Sequence, residues 1–121
     1  MKTRIIITLL TSFLFFAGIN LTFSQSAEQL YQKGLMQEEG EGNLEEAIKI
    51  FAGIVENQNA DQSLQAKALL HVGLCYEKLG KDEATKAYQR LVNNFPGQKN
   101  EVAIARERLS KLILAVEEIT R

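Results

Sequence analysis

From about residue 26 onward, apolar side chains recur at helical spacing in five successive stretches separated by turn-forming residues, and no stretch alternates as a strand would. The first, about 26–38, opens with Ser26 and, three residues on, Gln29, a capping-box pair; its apolar side carries Leu30, Tyr31, Gly34 and Leu35. Gly40-Glu41-Gly42 breaks the chain. Asn43, with Glu46 three residues later, starts a second helix whose stripe is Leu44, Ala47, Ile48, Phe51, Ile54 and Val55, the spacing of a helix with one buried side. After a polar connector at 57–62, a third helix, about 63–79, presents Ala66, Leu69, Val72, Gly73, Tyr76 and Leu79. Gly80 follows where a left-handed C-terminal cap belongs. The fourth, about 82–94, aligns Ala84, Ala87, Tyr88, Leu91 and Val92, and Phe95-Pro96-Gly97 ends it because proline cannot continue a helix. The fifth, about 101–120, is expected to bury Val102, Ala105, Leu109, Leu112, Ile113, Val116 and Ile119.

The residues ahead of these helices follow a different pattern. Lys2 and Arg4 precede an apolar run that ends in small and polar residues, the layout of a secretory signal peptide over residues 1–24. Thr22 and Ser24 supply small side chains at the two positions a signal peptidase must fit, which places the cut after Ser24. No cysteine stands near this point, so lipid attachment there is not supported. The alternative is an uncleaved anchor in the inner membrane, since residues 5–23 are nearly long enough to span a bilayer. The polar Gly-Ile-Asn-Leu-Thr ending speaks against it.

Charge and cysteine content narrow the classes further. Cleavage removes Lys2 and Arg4 from the 14 basic residues and none of the 15 acidic ones, leaving 12 against 15 and a formal charge of −3. No basic stripe remains to neutralise a phosphate backbone, so nucleic acid is not an expected partner. The remaining 97 of 121 residues make one domain, 25–121, with one modest core. One cysteine, Cys75, cannot form an internal disulfide, so packing must hold the fold.

The stretches repeat. Gly-Asn-Leu-Glu-Glu-Ala-Ile-Lys-Ile-Phe around Ala47 and Phe51 corresponds, 37 residues on, to Lys-Asp-Glu-Ala-Thr-Lys-Ala-Tyr around Ala84 and Tyr88. In the second unit Leu69, Val72, Gly73, Tyr76, Gly80, Ala84, Tyr88, Leu91 and Pro96 match the pattern of the tetratricopeptide repeat family, which the chain resembles over about residues 27–112. In the first unit Gly34, Ala47, Phe51 and Ile54 match, while the tyrosine and the closing proline are absent and the turn is enlarged by two glycines. The resemblance implies an all-α fold, a fragment of a right-handed α-solenoid. Repeat one spans about 27–60, repeat two about 64–97, and a capping helix about 101–120. The wording of residues 66–96 is similar to tetratricopeptide segments of exported bacterial envelope proteins. Those are of two kinds: envelope-assembly and cell-division factors of the periplasm, and modules that precede a β-propeller or a peptidase.

Few residues suggest chemistry. His71 and Cys75 lie four apart on one helix and would share a face, but no other His or Cys is present to complete a metal site, and nothing else pairs with the thiol for nucleophilic catalysis. A packed thiol beside a partly exposed imidazole is the expectation. Glu38, Glu39, Glu41, Glu45 and Glu46 lack the ligand alternation of a calcium loop, and Glu45 and Glu46 read as a solvated helix end favoured by the dipole. Gly40-x-Gly42 has no strand before it and no lysine after it, so it reads as a long turn. No cofactor, metal or enzymatic activity is expected.

What remains is the concave face that stacked hairpins create. By the family's pattern, Lys67, Leu70, Leu74, Glu77 and Lys78 of the third helix point into it, two leucines among mixed charges that suit a short peptide with an apolar anchor. The competing expectation is that the fifth helix or a second copy covers this surface. Two repeats are fewer than an independent array needs. The fifth helix is expected to cap the second repeat and to leave the first repeat's face open, for self-association or for docking onto a larger partner. The functional expectation is an envelope adaptor that binds a protein or peptide and contacts membrane only through an uncleaved signal segment. The alternative is the leading module of a longer or split propeller or hydrolase, with the fifth helix as linker.

Overall fold

The computed structural model describes residues 25–121, so the signal-peptide expectation for residues 1–24 lies outside the described residues. Among the described residues there are five helices and no strand. Helix α1 (Ala27–Leu35) runs on into a π turn (Met36–Gly40), followed by α2 (Leu44–Val55), α3 (Gln62–Lys78), α4 (Glu83–Asn94) and α5 (Lys99–Thr120).

The predicted caps form. The Gln29 amide N–H donates to Ser26 Oγ at 3.2 Å while Ser26 N–H donates to Gln29 Oε1 at 3.0 Å, satisfying two of the free donors at the start of α1. Asn43 Oδ1 accepts from the Glu46 amide at 3.3 Å at the start of α2. At the end of α3, Gly80 takes φ 68°. Its N–H donates to Glu77 O and the Lys81 N–H to Tyr76 O, both at 2.9 Å, the paired bonds of a Schellman cap. A cap that local sequence does not announce closes α2: Gln65 Nε2 donates to Val55 O (3.2 Å) and Asn57 O (2.8 Å), so a side chain from the next helix satisfies the connector's carbonyls.

Packing follows the repeat. Helix α2 lies between α1 and α3, α4 lies between α3 and α5, and α1, α3 and α5 also touch in sequence, forming one layer. In each hairpin an aromatic ring sits over a glycine. A Cβ at Gly34 would lie 2.6 Å from Phe51 Cε1, and one at Gly73 would lie 2.5 Å from Tyr88 Cε1. Phe51 and Tyr88 are both fully buried, within a core that includes Ala47, Ile54, Ala66, Leu69, Ala84, Leu91 and Ala105. The two glycines are 39 residues apart and the two aromatics 37 apart, so the first hairpin holds two more residues between its helices than the second. The π turn and Gly42 (φ 65°) absorb them: Glu41 N–H reaches Met36 O at 3.0 Å and Asn43 N–H reaches Gln37 O at 2.8 Å.

The fifth helix departs from expectation. Val102 and Ala105 are buried and Leu109 and Leu112 are partly buried against the core, but Ile113, Val116 and Ile119 are 55%, 61% and 85% exposed. The reason is length: α5 has 22 residues, ~33 Å of helix, whereas the α4 it packs on has 12, ~18 Å, so its C-terminal half runs past its support.

Candidate functional site

Two carboxylates tie the layer of α1, α3 and α5 together. Glu38, one of the acidic run at 38–46, is 6% exposed. Its Oε2 lies 2.7 Å from His71 Nδ1 and its Oε1 accepts from Lys78 Nζ at 2.9 Å. The π turn carries it there: Glu38 sits in the middle of that turn, one helical turn after Gly34. The His71 ring stacks on Phe51 (centroids 5.0 Å, 22°) and meets Tyr31 edge-on at 5.7 Å, so the acceptor is delivered to an imidazole already held by aromatics. The hydrogen bond to Glu38 holds the Lys78 ammonium above its ordinary range.

Glu77 is the equivalent residue of the second hairpin, 39 positions later and again four after the close-approach glycine. Its Oε2 accepts from Tyr88 Oη at 2.6 Å and from Arg108 Nε at 3.0 Å, while Oε1 accepts from Arg108 Nη2 at 2.7 Å, a bidentate clamp that binds α5 to α3. Burial, then the bond to Glu77, pushes the Tyr88 phenol well above its usual range. Composition and motif spacing did not reveal these two clamps. The glutamate four residues after each hairpin's glycine was the signal that would have.

Cys75 shares the α3 face of His71 and is wholly buried. Burial, reinforced by the Glu38 carboxylate, pushes its thiol up to about 12, so it is protonated at neutral pH and is a packing group rather than a nucleophile. Among the described residues, no three His, Cys, Asp or Glu side chains converge in a way that would hold a metal. No helix there is long and apolar enough to cross a membrane.

The structure separates the five residues assigned to the concave face. Leu70 is buried in the core, Leu74 is half-buried against it, Glu77 is clamped to Arg108 and Tyr88, and Lys78 gives its amine to Glu38. Lys67 stands exposed. The exposed apolar surface lies elsewhere. Ile113, Leu114, Val116 and Ile119 project from the overhanging half of α5, whereas the first hairpin exposes Met36 as its large apolar residue. The open flank is therefore at the C-terminal end of the stack, and the expectation that it belongs to the first repeat is corrected. Beneath the overhang, a groove of about 380 Å³ runs between the turn at Gly80–Thr85 and Leu112, Ile113 and Val116, with Glu77 and Glu117 on its rim.

Residues 67–97, which cover most of α3, the turn at Gly80, α4 and the proline that follows, match the Tetratricopeptide repeat family. Neither a curated protein nor a solved structure matches the chain.

Proposed function

Taking residues 67–97 as a tetratricopeptide repeat, a helical unit that other proteins use as a non-catalytic scaffold for binding protein partners, we propose that this chain is an adaptor of the bacterial cell envelope. It docks a helical segment of a protein partner against the overhanging half of α5. The observation that carries this reading is the row of aliphatic side chains there, 55–85% exposed beside an apolar groove, where the other large apolar residues among the described ones are mostly covered. Export is supported by the basic start and apolar run of residues 1–24. The protonated, buried Cys75 and the clamped glutamates support a scaffold over an enzyme.

The decisive experiment places a photo-crosslinking residue at position 119 and expresses the chain in a bacterial host with an intact envelope. A defined crosslinked protein species that disappears with Val116→Glu supports docking at α5, and a mature N-terminus at Gln25 supports export. Crosslinking that is equally strong at exposed Lys67 and at position 119 would assign the contact to no particular face and overturn the proposal. The overhang also fits the second reading, in which α5 leads into a propeller or hydrolase domain; a crosslink to such a domain would identify it.

A further inference from the structure

The overhanging half of α5 has a pattern that specifies more than an apolar surface. Val102, Ala105, Leu109, Leu112, Val116 and Ile119 follow one another at steps of three, four, three, four and three, the heptad spacing of a helix that pairs along its length with another helix. The first two of these residues are spent on the core and the last two are free. An extended peptide would not match that spacing. A further repeat helix seated like α2 or α4 would not fit either, because each of those places an aromatic ring over a glycine and α5 contains no glycine.

We propose that the free half of α5 pairs in antiparallel orientation with the same segment of a second copy of this chain; this names the partner of the docking face proposed above and rests on that reading. The segment is self-complementary. When Leu112 faces Val116 of the second copy, Leu109 faces Ile119, so every layer is aliphatic against aliphatic; Leu109 and Leu112 offer only the part of their surface that the core leaves open, and Val116 and Ile119 supply most of the contact. Residues 107–121 hold Glu107, Glu117 and Glu118 against Arg108, Lys111 and Arg121, with no net charge to oppose self-contact. The basic side chains other than Arg121 lie toward one end and Glu117 and Glu118 toward the other, so antiparallel packing sets unlike ends together, whereas parallel packing would set like ends together. Opposed helix dipoles favour the same orientation.

Sedimentation equilibrium on residues 25–121, which contain the whole described core, tests the pairing, and disulfide trapping tests its direction. The expected result is a reversible dimer with a dissociation constant in roughly the micromolar range. Ile119→Glu, at a position 85% exposed, is expected to weaken it about tenfold or more while leaving helix content and melting temperature unchanged. For direction, chains carrying Leu112→Cys are mixed with chains carrying Val116→Cys and oxidised. A covalent dimer from the mixture and not from either variant alone supports the antiparallel register, and the buried, protonated Cys75 does not compete. A chain that stays monomeric at about a hundred times that concentration overturns the proposal. So does a dimer indifferent to Ile119→Glu, or a covalent dimer from one variant alone. A monomer that still crosslinks to a different envelope protein through position 119 leaves the docking reading standing, and a monomer with no crosslink ends both.

Discussion

Gly34 and Gly73 show how one absent methyl group sets the distance between helices. Each ring above them is fully buried, and Tyr88 is further pinned by its bond to Glu77, so it has no open side to move into. Gly73→Ala is expected to destabilise the fold by about 1–3 kcal/mol through overpacking, even after the ~0.5–1 kcal/mol that alanine gains in a helix interior. Gly34→Ala costs less, because the Phe51 ring has no such tether. Gly53, exposed in α2 with nothing within 4 Å of a built Cβ, is the control: Gly53→Ala is expected to stabilise by about 0.5–1 kcal/mol. Urea denaturation of the three variants reads all these signs. The role of these glycines was legible in the sequence, since a glycine on an apolar stripe, with an aromatic on the stripe of the next helix, marks a place where the two must approach closely. The role of Glu38 was harder to read: its neighbours Glu39 and Glu41 are exposed, a run of acids does not by itself say which member turns inward, and only the shared place of Glu38 and Glu77, four residues after a glycine, marks it.

Helix positions, caps and turn glycines were readable because local spacing and local hydrogen bonds determine them, and the observed boundaries differ from the expected ones by about a turn or less. The π turn was not readable, since a turn enlarged by two glycines does not say that the helix itself widens to take up part of the two-residue excess. The division of α5 was also hidden. An apolar stripe records which side of a helix wants cover and cannot record where the neighbouring helix ends. At this scale the Glu38 clamp gives a sharp expectation. Glu38→Gln removes the charge from bonds to His71 and Lys78, costing about 1–3 kcal/mol; half-exposed Lys78 regains water, which keeps the loss from being larger. The amides of Glu41 and Asn43, which close the turn beneath it, are expected to exchange faster with solvent in that variant, while those of α4 keep their relative protection.

For the whole molecule, stability is tied to protons that the fold refuses to release. Cys75 and Tyr88 are neutral when protonated, and the native state holds those protons to higher pH than the unfolded chain does. Above the thiol's ordinary value of 9.0 the unfolded state therefore binds fewer protons, and stability falls as pH rises. The fall continues to about 12 for Cys75, with Tyr88 joining above its ordinary 10.0. The slope is at most about 1.4 kcal/mol per pH unit for each group. Lys78 adds to the same trend: its raised value contributes stability below the ordinary lysine range that is lost as pH climbs through the folded value. Urea midpoints measured from neutral to strongly alkaline pH are expected to decline from about pH 9, with Cys75→Ala flattening the first part of the decline.

The two glutamate clamps also give the molecule a mechanical character. Because Glu38 links the first inner helix to the second and Glu77 links the second to the third, a pull on the two ends of the stack loads them in series. Glu77 grips Arg108 with two bonds and a tyrosine, whereas Lys78 is half in water, so the joint at Glu38 is the softer one. Under load the clamp at Glu38 would give first and free the π turn, while the extensive packing of α2 on α3 still held the two hairpins together.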